Sequence, residues 1–272
     1  MSVPTDFAWR RLLRDAGFTR KEEDLPGREL ARNRRGWIRH LRRPDGRGFY
    51  LKALTPRGMG DRLRFTVGRN PLERERRNLL RMAAWNVPAA RPVGFAVARG
   101  PLGIFQRAYL LIQEVEGTRS LEAWFADPEA QLSPTAQRRA LEDFGRILAR
   151  LHGHGFVDRD MHFRNILVRE TAGGLEFFLI DSPKGRRPWT PWGRRRGFVH
   201  DLACLDKHAG RQLTRSQRTR VLRAYLGHPL TAADRKLMRA IARRARTLMR
   251  RREEKLRQDA LRSATDHQRS RE

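Results

Sequence analysis

Apolar positions form short strand-like runs in the first part of the chain and helical stripes further on. Residues 1–35 are polar and basic and read as a loosely docked lead-in. Trp37, Ile38 and Leu41 mark a first strand, and Pro44-Asp45-Gly46-Arg47-Gly48 is a turn signal. Phe49 to Leu54 follow as a second strand carrying Lys52. Residues 55–70 are rich in Gly and Arg and predict a loop. Pro71 opens a helix at its first turn, with an apolar stripe at Leu72, Leu79, Leu80, Met82 and Ala83. Residues 88–97 and 108–115 read as two more strands, the latter through the apolar run Tyr109-Leu110-Leu111-Ile112. Gly117 breaks the pattern and places a lobe boundary at about 115–118.

In the second part, Ser133-Pro134 supplies a helix cap followed by Pro at the first helical position. Leu141, Phe144, Leu148 and Leu151 repeat at helical spacing, and Gly153 and Gly155 end the element. The stretch from Phe156 to Asn165 is too polar for a core strand. Ile166-Leu167-Val168 and Phe177-Phe178-Leu179-Ile180 predict two short strands joined at Gly173-Gly174. Residues 200–262 read as helices. The last, about 232–262, has apolar positions at Leu237, Ile241, Ala245 and Leu248, with Arg on most other faces.

Composition narrows the class. A chain of 272 residues with 39% hydrophobic residues buries a core, so it is globular and not a disordered basic tail. Its net charge of +29 implies a polyanionic partner: nucleic acid, an anionic membrane face or a phosphorylated substrate. Only six of the 59 cationic residues are Lys, so each lysine stands out. The single cysteine, Cys204, flanked by Ala203 and Leu205, reads as core. No His/Cys cluster has zinc-ligand spacing. The N-terminus lacks the apolar core of a signal peptide, and no run approaches a membrane-spanning length. The expected location is cytoplasmic.

The chemistry concentrates in Asp158-Arg159-Asp160-Met161-His162-Phe163-Arg164-Asn165, followed after a hairpin by Ile180-Asp181. An isolated Asp and Asn at this spacing also serve to brace a turn. With the helix before and the hairpin and Asp after, the order matches what phosphoryl transfer needs. That reaction takes a carboxylate to orient the attacking hydroxyl and oxygen ligands to hold a metal on the phosphates. The spacing is that of D-x-x-x-x-N, a hairpin and a further Asp.

On these residues, with Leu151-His152 before them and Glu73 to Met82 and Leu111-Ile112-Gln113-Glu114 upstream, the chain resembles protein-kinase-like small-molecule kinases. Within that group it most resembles the lipopolysaccharide core kinases, which phosphorylate heptose or Kdo sugars. The resemblance covers roughly residues 35–210. It implies an α+β, bilobal protein-kinase-like fold, with a small antiparallel-sheet N-lobe bearing one helix and a mainly helical C-lobe. The expected divisions are a lead-in at 1–35, a nucleotide-binding N-lobe at 36–116, a C-lobe with the catalytic loop and metal site at 117–231, and an Arg-rich helix and tail at 232–272.

The resemblance also implies roles. Asp160 matches the catalytic base, and Asn165 and Asp181 the magnesium ligands. Lys52 matches the lysine that contacts the α- and β-phosphates of ATP, and Glu75 its helix partner, with Glu73 as the fallback. Glu114 and Val115 match the hinge that binds adenine, and Asp201 the Asp that braces the catalytic loop. Three features depart from the protein-kinase pattern: Asp158 stands where His is usual, Ser182-Pro183 follows Asp181, and Gly36 is the only glycine near the expected phosphate-covering turn. His162 reads as structural, with contact to the base or substrate as the alternative, and His152 and His154 as caps or surface residues.

The expected partner is a lipopolysaccharide core saccharide or another phosphorylated or acidic glycolipid, met on the cytoplasmic face of the inner membrane. An anionic membrane surface is a further expected contact, either at the Arg-rich C-terminal helix or not at all if that helix simply packs by its stripe. The rival acceptors are an aminoglycoside-like molecule, which the +29 charge disfavours, and a protein Ser or Thr. A non-catalytic nucleic-acid- or membrane-binding module is the rival from another class. The intact Asp160, Asn165, Asp181 and Lys52 set argues against it and makes nucleic acid an unlikely partner.

Overall fold

The computed structural model describes residues 12–14, 16 and 27–269. Five strands form an antiparallel sheet in the order β1-β2-β3-β5-β4: β1 (Gly27–Asn33), β2 (Gly36–Arg42), β3 (Gly48–Leu54), β4 (Pro92–Arg99) and β5 (Phe105–Gln113). The central position of β5 explains its unbroken apolar run, since both faces are covered. Tyr109 and Leu111 point to one face with Leu41 and Leu51. Leu110 and Ile112 point to the other, into the main core with Leu54, Leu79 and Met82.

Three readings of the N-terminal part need correction. Gly27–Asn33, assigned to the lead-in, is the edge strand β1. Its residues are exposed on both faces, so no hydrophobic alternation marks it. Charge pairing of Glu29 with Arg32 and Arg39 takes the place of burial. Leu12 and Leu13, also assigned to a loosely docked lead-in, are buried against the outer face of the sheet. Residues 1–11, 15 and 17–26 of that lead-in lie outside the described residues. The predicted loop at 55–70 contains helix α1 (Met59–Val67), so this lobe carries a helix beyond the one expected. Only Phe65 of α1 is buried, edge-on against Phe105, and the flanking Gly58 and Gly68 gave the segment its loop-like look.

Helix α2 (Pro71–Ala84) starts as expected: Asn70 caps it by accepting the Glu73 N–H at 3.0 Å, and Pro71 takes the first position. Its buried stripe is Leu72, Glu75, Asn78, Leu79 and Met82. Two polar side chains on a core-facing stripe require partners, and both find them across the molecule.

The remaining chain is mainly helical: α3 (Leu121–Ala126), α4 (Pro134–Gly153), α5 (Pro191–Gln212), α6 (Arg215–Leu226) and α7 (Arg235–Arg269). A three-stranded sheet, β6 (Arg119–Ser120), β7 (Ile166–Thr171) and β8 (Gly174–Leu179), carries the expected hairpin. Ser133, Thr190 and Thr214 cap α4, α5 and α6. Gly145 lets α4 pass close to α6, where a Cβ would collide with the Val221 carbonyl. Helix α7 packs by Ile241 and Ala245, as its stripe predicts. These helices enclose an apolar cavity of about 730 Å³, lined among others by Trp124, Phe144, Leu148 and Leu222, with Arg215, Arg218, Arg235 and Arg239 at its wall. Among the described residues, no helix is long and apolar enough to cross a membrane.

The two parts meet at the end of β8. Leu179 donates to the Pro88 carbonyl and accepts from Ala90, each at 3.0 Å. This joins β8, which leads into Asp181, to the segment leading into β4.

Candidate active site

The loop from Asp158 to Asn165 is held from beneath. Asp201, on α5 and fully buried, accepts the backbone N–H groups of Asp158 at 2.7 Å and Arg159 at 2.8 Å. Arg159 has φ 70, a left-handed conformation that a branched or long side chain rarely adopts. The two bonds to Asp201 hold it there. Asp158 in turn accepts the Asp160 N–H at 3.0 Å and bonds Ser182 Oγ at 2.5 Å. Burial pushes the Asp158 carboxyl above the ordinary range, and the neighbouring Asp201 adds to this. His152 lies inside this base and not at the surface as expected. Its Nδ1 is 2.9 Å from the Tyr225 hydroxyl and its Nε2 3.4 Å from Asp201. His154, by contrast, is exposed and stacks on Trp85.

Asn165 donates its amide to the Asp160 carbonyl at 2.9 Å, and its own carbonyl accepts the Ile180 N–H at 3.0 Å. The second bond sets Asp181 next to the loop. Asp181 also has a positive φ, 58, and such strain clusters where a side chain must be aimed. Lys52 from β3 closes the arrangement: its Nζ is 2.7 Å from Glu75 and 3.0 Å from Asp181. Glu75 is therefore the partner. Glu73 turns outward to Arg77. Burial works against the Lys52 charge, but Glu75 and Asp181 outweigh it and hold the lysine above its usual range. Burial, aided by Asp181, also raises the Glu75 carboxyl against the pull of Lys52. Asp160, Asn165, Asp181, Lys52, Glu75 and Asp201 thus form one connected cluster.

Four contributors were not among the site residues the sequence reading named. Lys184 reaches back to Asp160 at 3.0 Å, and His162 stands 3.3 Å from the other carboxylate oxygen. Together, His162 first, they lower Asp160 to about 2. Asn78 on α2 donates to the carbonyls of Ser182 and Gly185, tying the helix of Glu75 to the segment after Asp181. Ser182 is the fourth, through Asp158. The scarcity of lysine was a signal for Lys184; nothing in the sequence marked Asn78. Titrated by carbon NMR, Asp160 is expected to move up toward the ordinary aspartate range in Lys184→Met. An unmoved midpoint would show that the ion pair does not govern it.

Glu114 and Val115 end β5. The Glu114 N–H bonds the Gly48 carbonyl and the Val115 carbonyl accepts from Thr118, leaving the Glu114 carbonyl and the Val115 N–H with no partner among the described residues. The Glu114 side chain pairs with His40 at 2.8 Å, and a Cβ at Gly48 would strike it. Gly36 opens β2 with φ 149, where a Cβ would strike the Ala53 carbonyl. Cys204 is buried, and burial pushes its thiol up to about 12.

Comparison with known proteins agrees with this geometry. Residues 18–225 match the model of the lipopolysaccharide kinase (Kdo/WaaP) family. A 3-deoxy-D-manno-octulosonic acid kinase of Haemophilus influenzae (strain Rd) is 25% identical over 61% of this chain and 66% of its own length. The kinase of the same name from Stenotrophomonas maltophilia (strain K279a) is 34% identical over 46% of this chain and 45% of its own. That from Xanthomonas campestris pv. campestris (strain B100) is 38% identical over 40% of each chain. The chain thus spans less than two thirds of the length of these curated relatives. A solved structure of WaaP in complex with acyl carrier protein superposes with a TM-score of 0.66 at 23% identity, covering 91% of this chain and 99% of the other, and so shares the fold. With a family match running through the five-stranded sheet, the Asp158–Asn165 loop and α6, the chain belongs to the Kdo/WaaP lipopolysaccharide kinase family.

Proposed function

We propose that the chain transfers the γ-phosphoryl group of ATP to a sugar hydroxyl of the lipopolysaccharide inner core, with Kdo the preferred acceptor. The observation that carries this reading is Lys52, held at once by Glu75 from α2 and by Asp181 beside the catalytic loop. The names of the relatives favour Kdo over heptose.

In this reading adenine takes the Glu114 carbonyl and the Val115 N–H, and Lys52 turns to the α- and β-phosphates. The donor set suits magnesium, a hard cation that takes oxygen ligands. Asn165 has committed its amide nitrogen to Asp160, which frees its Oδ1, and Asp181 has one oxygen clear of Lys52. The bound ion would neutralise phosphate charge. Asp160, held near 2, is too weak a base to strip a resting sugar hydroxyl. It orients that hydroxyl and takes the proton late, as bonding to phosphorus acidifies it. Lys184 sits where it can meet the charge of the transferred group.

The positive surface would draw an acidic, phosphorylated acceptor at the cytoplasmic membrane face, where the chain would be peripheral. An acyl carrier protein, the partner in the related structure, is a further candidate. The apolar cavity of about 730 Å³ with its arginines has room for an acyl chain.

A labelled-ATP transfer assay tests the acceptor. Its panel holds deacylated Kdo-bearing core saccharide, intact lipopolysaccharide, a generic protein substrate and an aminoglycoside. Label on the core saccharide is the expected result, and label confined to protein or aminoglycoside would overturn the reading. In a magnesium titration of nucleotide binding, Asp181→Asn is expected to weaken affinity by at least about tenfold, as loss of metal support does elsewhere. An unchanged magnesium dependence would remove Asp181 from the ligand set.

A further inference from the structure

The segment after Asp181 has an unusual surface. From Ser182 to His200 there is no carboxylate, while Lys184, Arg186, Arg187, Arg194, Arg195 and Arg196 contribute six cations. Some arginines elsewhere, among them Arg32, Arg77, Arg119, Arg146 and Arg169, meet an acidic partner. Here Lys184 alone has one, Asp160. Arg186, Arg187, Arg195 and Arg196 have no carboxylate within ion-pair distance among the described residues. Within this field stand Trp189, 95% exposed, and Trp192, 68% exposed. Soluble proteins normally bury such rings.

The two rings are not on a loose loop. Thr190 caps α5 by accepting the Gly193 N–H at 3.0 Å, and Pro191 fixes its first position. Arg194 donates to the Pro188 carbonyl at 3.0 Å and to that of Trp189 at 3.4 Å, locking the turn on which Trp189 projects. Arg196 lies over the Trp192 ring. Upstream, Val157 and Arg186 exchange two backbone bonds at 2.8 and 2.9 Å, which fastens the segment to the catalytic loop. The patch is therefore rigidly coupled to Asp160.

We infer that Lys184–Arg196 is the surface by which the protein lies on an anionic bilayer, with Trp189 and Trp192 entering the headgroup region and the arginines meeting its phosphates. The inference rests on the glycolipid reading of the acceptor and adds the surface that brings the acceptor to Asp160. Tryptophan with flanking arginine is the composition that settles at a membrane–water interface. The rings are exposed, and neither lines the apolar cavity described above, which favours a bilayer over a single-stranded nucleic acid threaded past stacking platforms. It also moves the expected membrane contact away from α7.

The test is partition of the full chain, without ATP, onto phosphatidylcholine vesicles with and without phosphatidylglycerol at low salt. Wild type should sediment with the phosphatidylglycerol vesicles only. Trp189→Ser with Trp192→Ser should lower partition on the order of tenfold, from lost apolar burial. Arg195→Gln and Arg196→Gln should lower it about fivefold each. Arg250→Gln with Arg251→Gln on α7 should leave it unchanged. Partition of the tryptophan pair equal to wild type would overturn the proposal. So would loss confined to the α7 pair, or an oligonucleotide that displaces the protein from vesicles only when both tryptophans are present. Because partition needs no turnover, transfer to protein alone would remove the glycolipid acceptor while the vesicle result still judged the surface.

Discussion

Asp160→Asn is expected to slow phosphoryl transfer by about 10²–10⁴-fold, the range a positioned general base contributes. The variant should keep ATP affinity within about threefold, because Lys52, Glu114, Val115, Asn165 and Asp181, the groups proposed to hold nucleotide and metal, make no bond to the Asp160 side chain. That carboxylate is engaged instead by Lys184 and His162, which keep it anionic. Asparagine preserves its size and the backbone bonds to Asp158 and Asn165, so the loop should stay in place. What is lost is the proposed acceptor for the sugar proton and the counter-charge of Lys184. Measured with Kdo-bearing saccharide, the loss should fall on kcat while the KM for ATP changes little. A variant with near-wild-type kcat would place the base elsewhere and leave Asp160 as a tether for Lys184.

Why Asp160, Asn165 and Asp181 were legible follows from their connectivity. They lie within a short stretch in which a capped helix, a polar loop and a Gly hairpin each leave a local mark, so spacing alone implied convergence. Lys52 and Glu75 were legible by a different route. The family resemblance, with Leu79 four residues on, named Glu75 ahead of Glu73, and the structure buries Glu75 on the face of Leu72 and Leu79, where a carboxylate needs a cation. Contacts made across sequence distance, with no local periodicity, were not legible. Asn78 meets Ser182 and Gly185 over a separation of more than a hundred residues. His152 reaches Tyr225 and Asp201 from a helix end that looked like a cap. Strand β1 and helix α1 were missed because each buries at most one side chain, and hydrophobic periodicity reports only burial.

Asp201→Ala is expected to lower stability by about 2–6 kcal/mol, since each N–H left without its acceptor at this site costs roughly 1–3 kcal/mol. Two such donors depend on Asp201, from Asp158 and Arg159. The second donor residue is held at φ 70, a conformation that costs about 1–3 kcal/mol and persists only while its surroundings enforce it. Without the carboxylate the loop can relax toward ordinary backbone angles, carrying Asp160 away from the line of transfer. Urea unfolding should therefore show a lower midpoint, and transfer should fall even at temperatures where the variant is fully folded. Asp201→Asn separates the two effects. Its one remaining acceptor oxygen can serve one N–H but not both, so stability should recover in part and transfer less so. If Asp201→Ala kept the wild-type midpoint and rate, Arg159 would be held by something other than α5, and the loop would be rigid by its own turn geometry. If the midpoint fell while transfer in the folded variant stayed intact, the brace would serve the fold alone, and Asp160 would owe its position to Asn165 and Asp158.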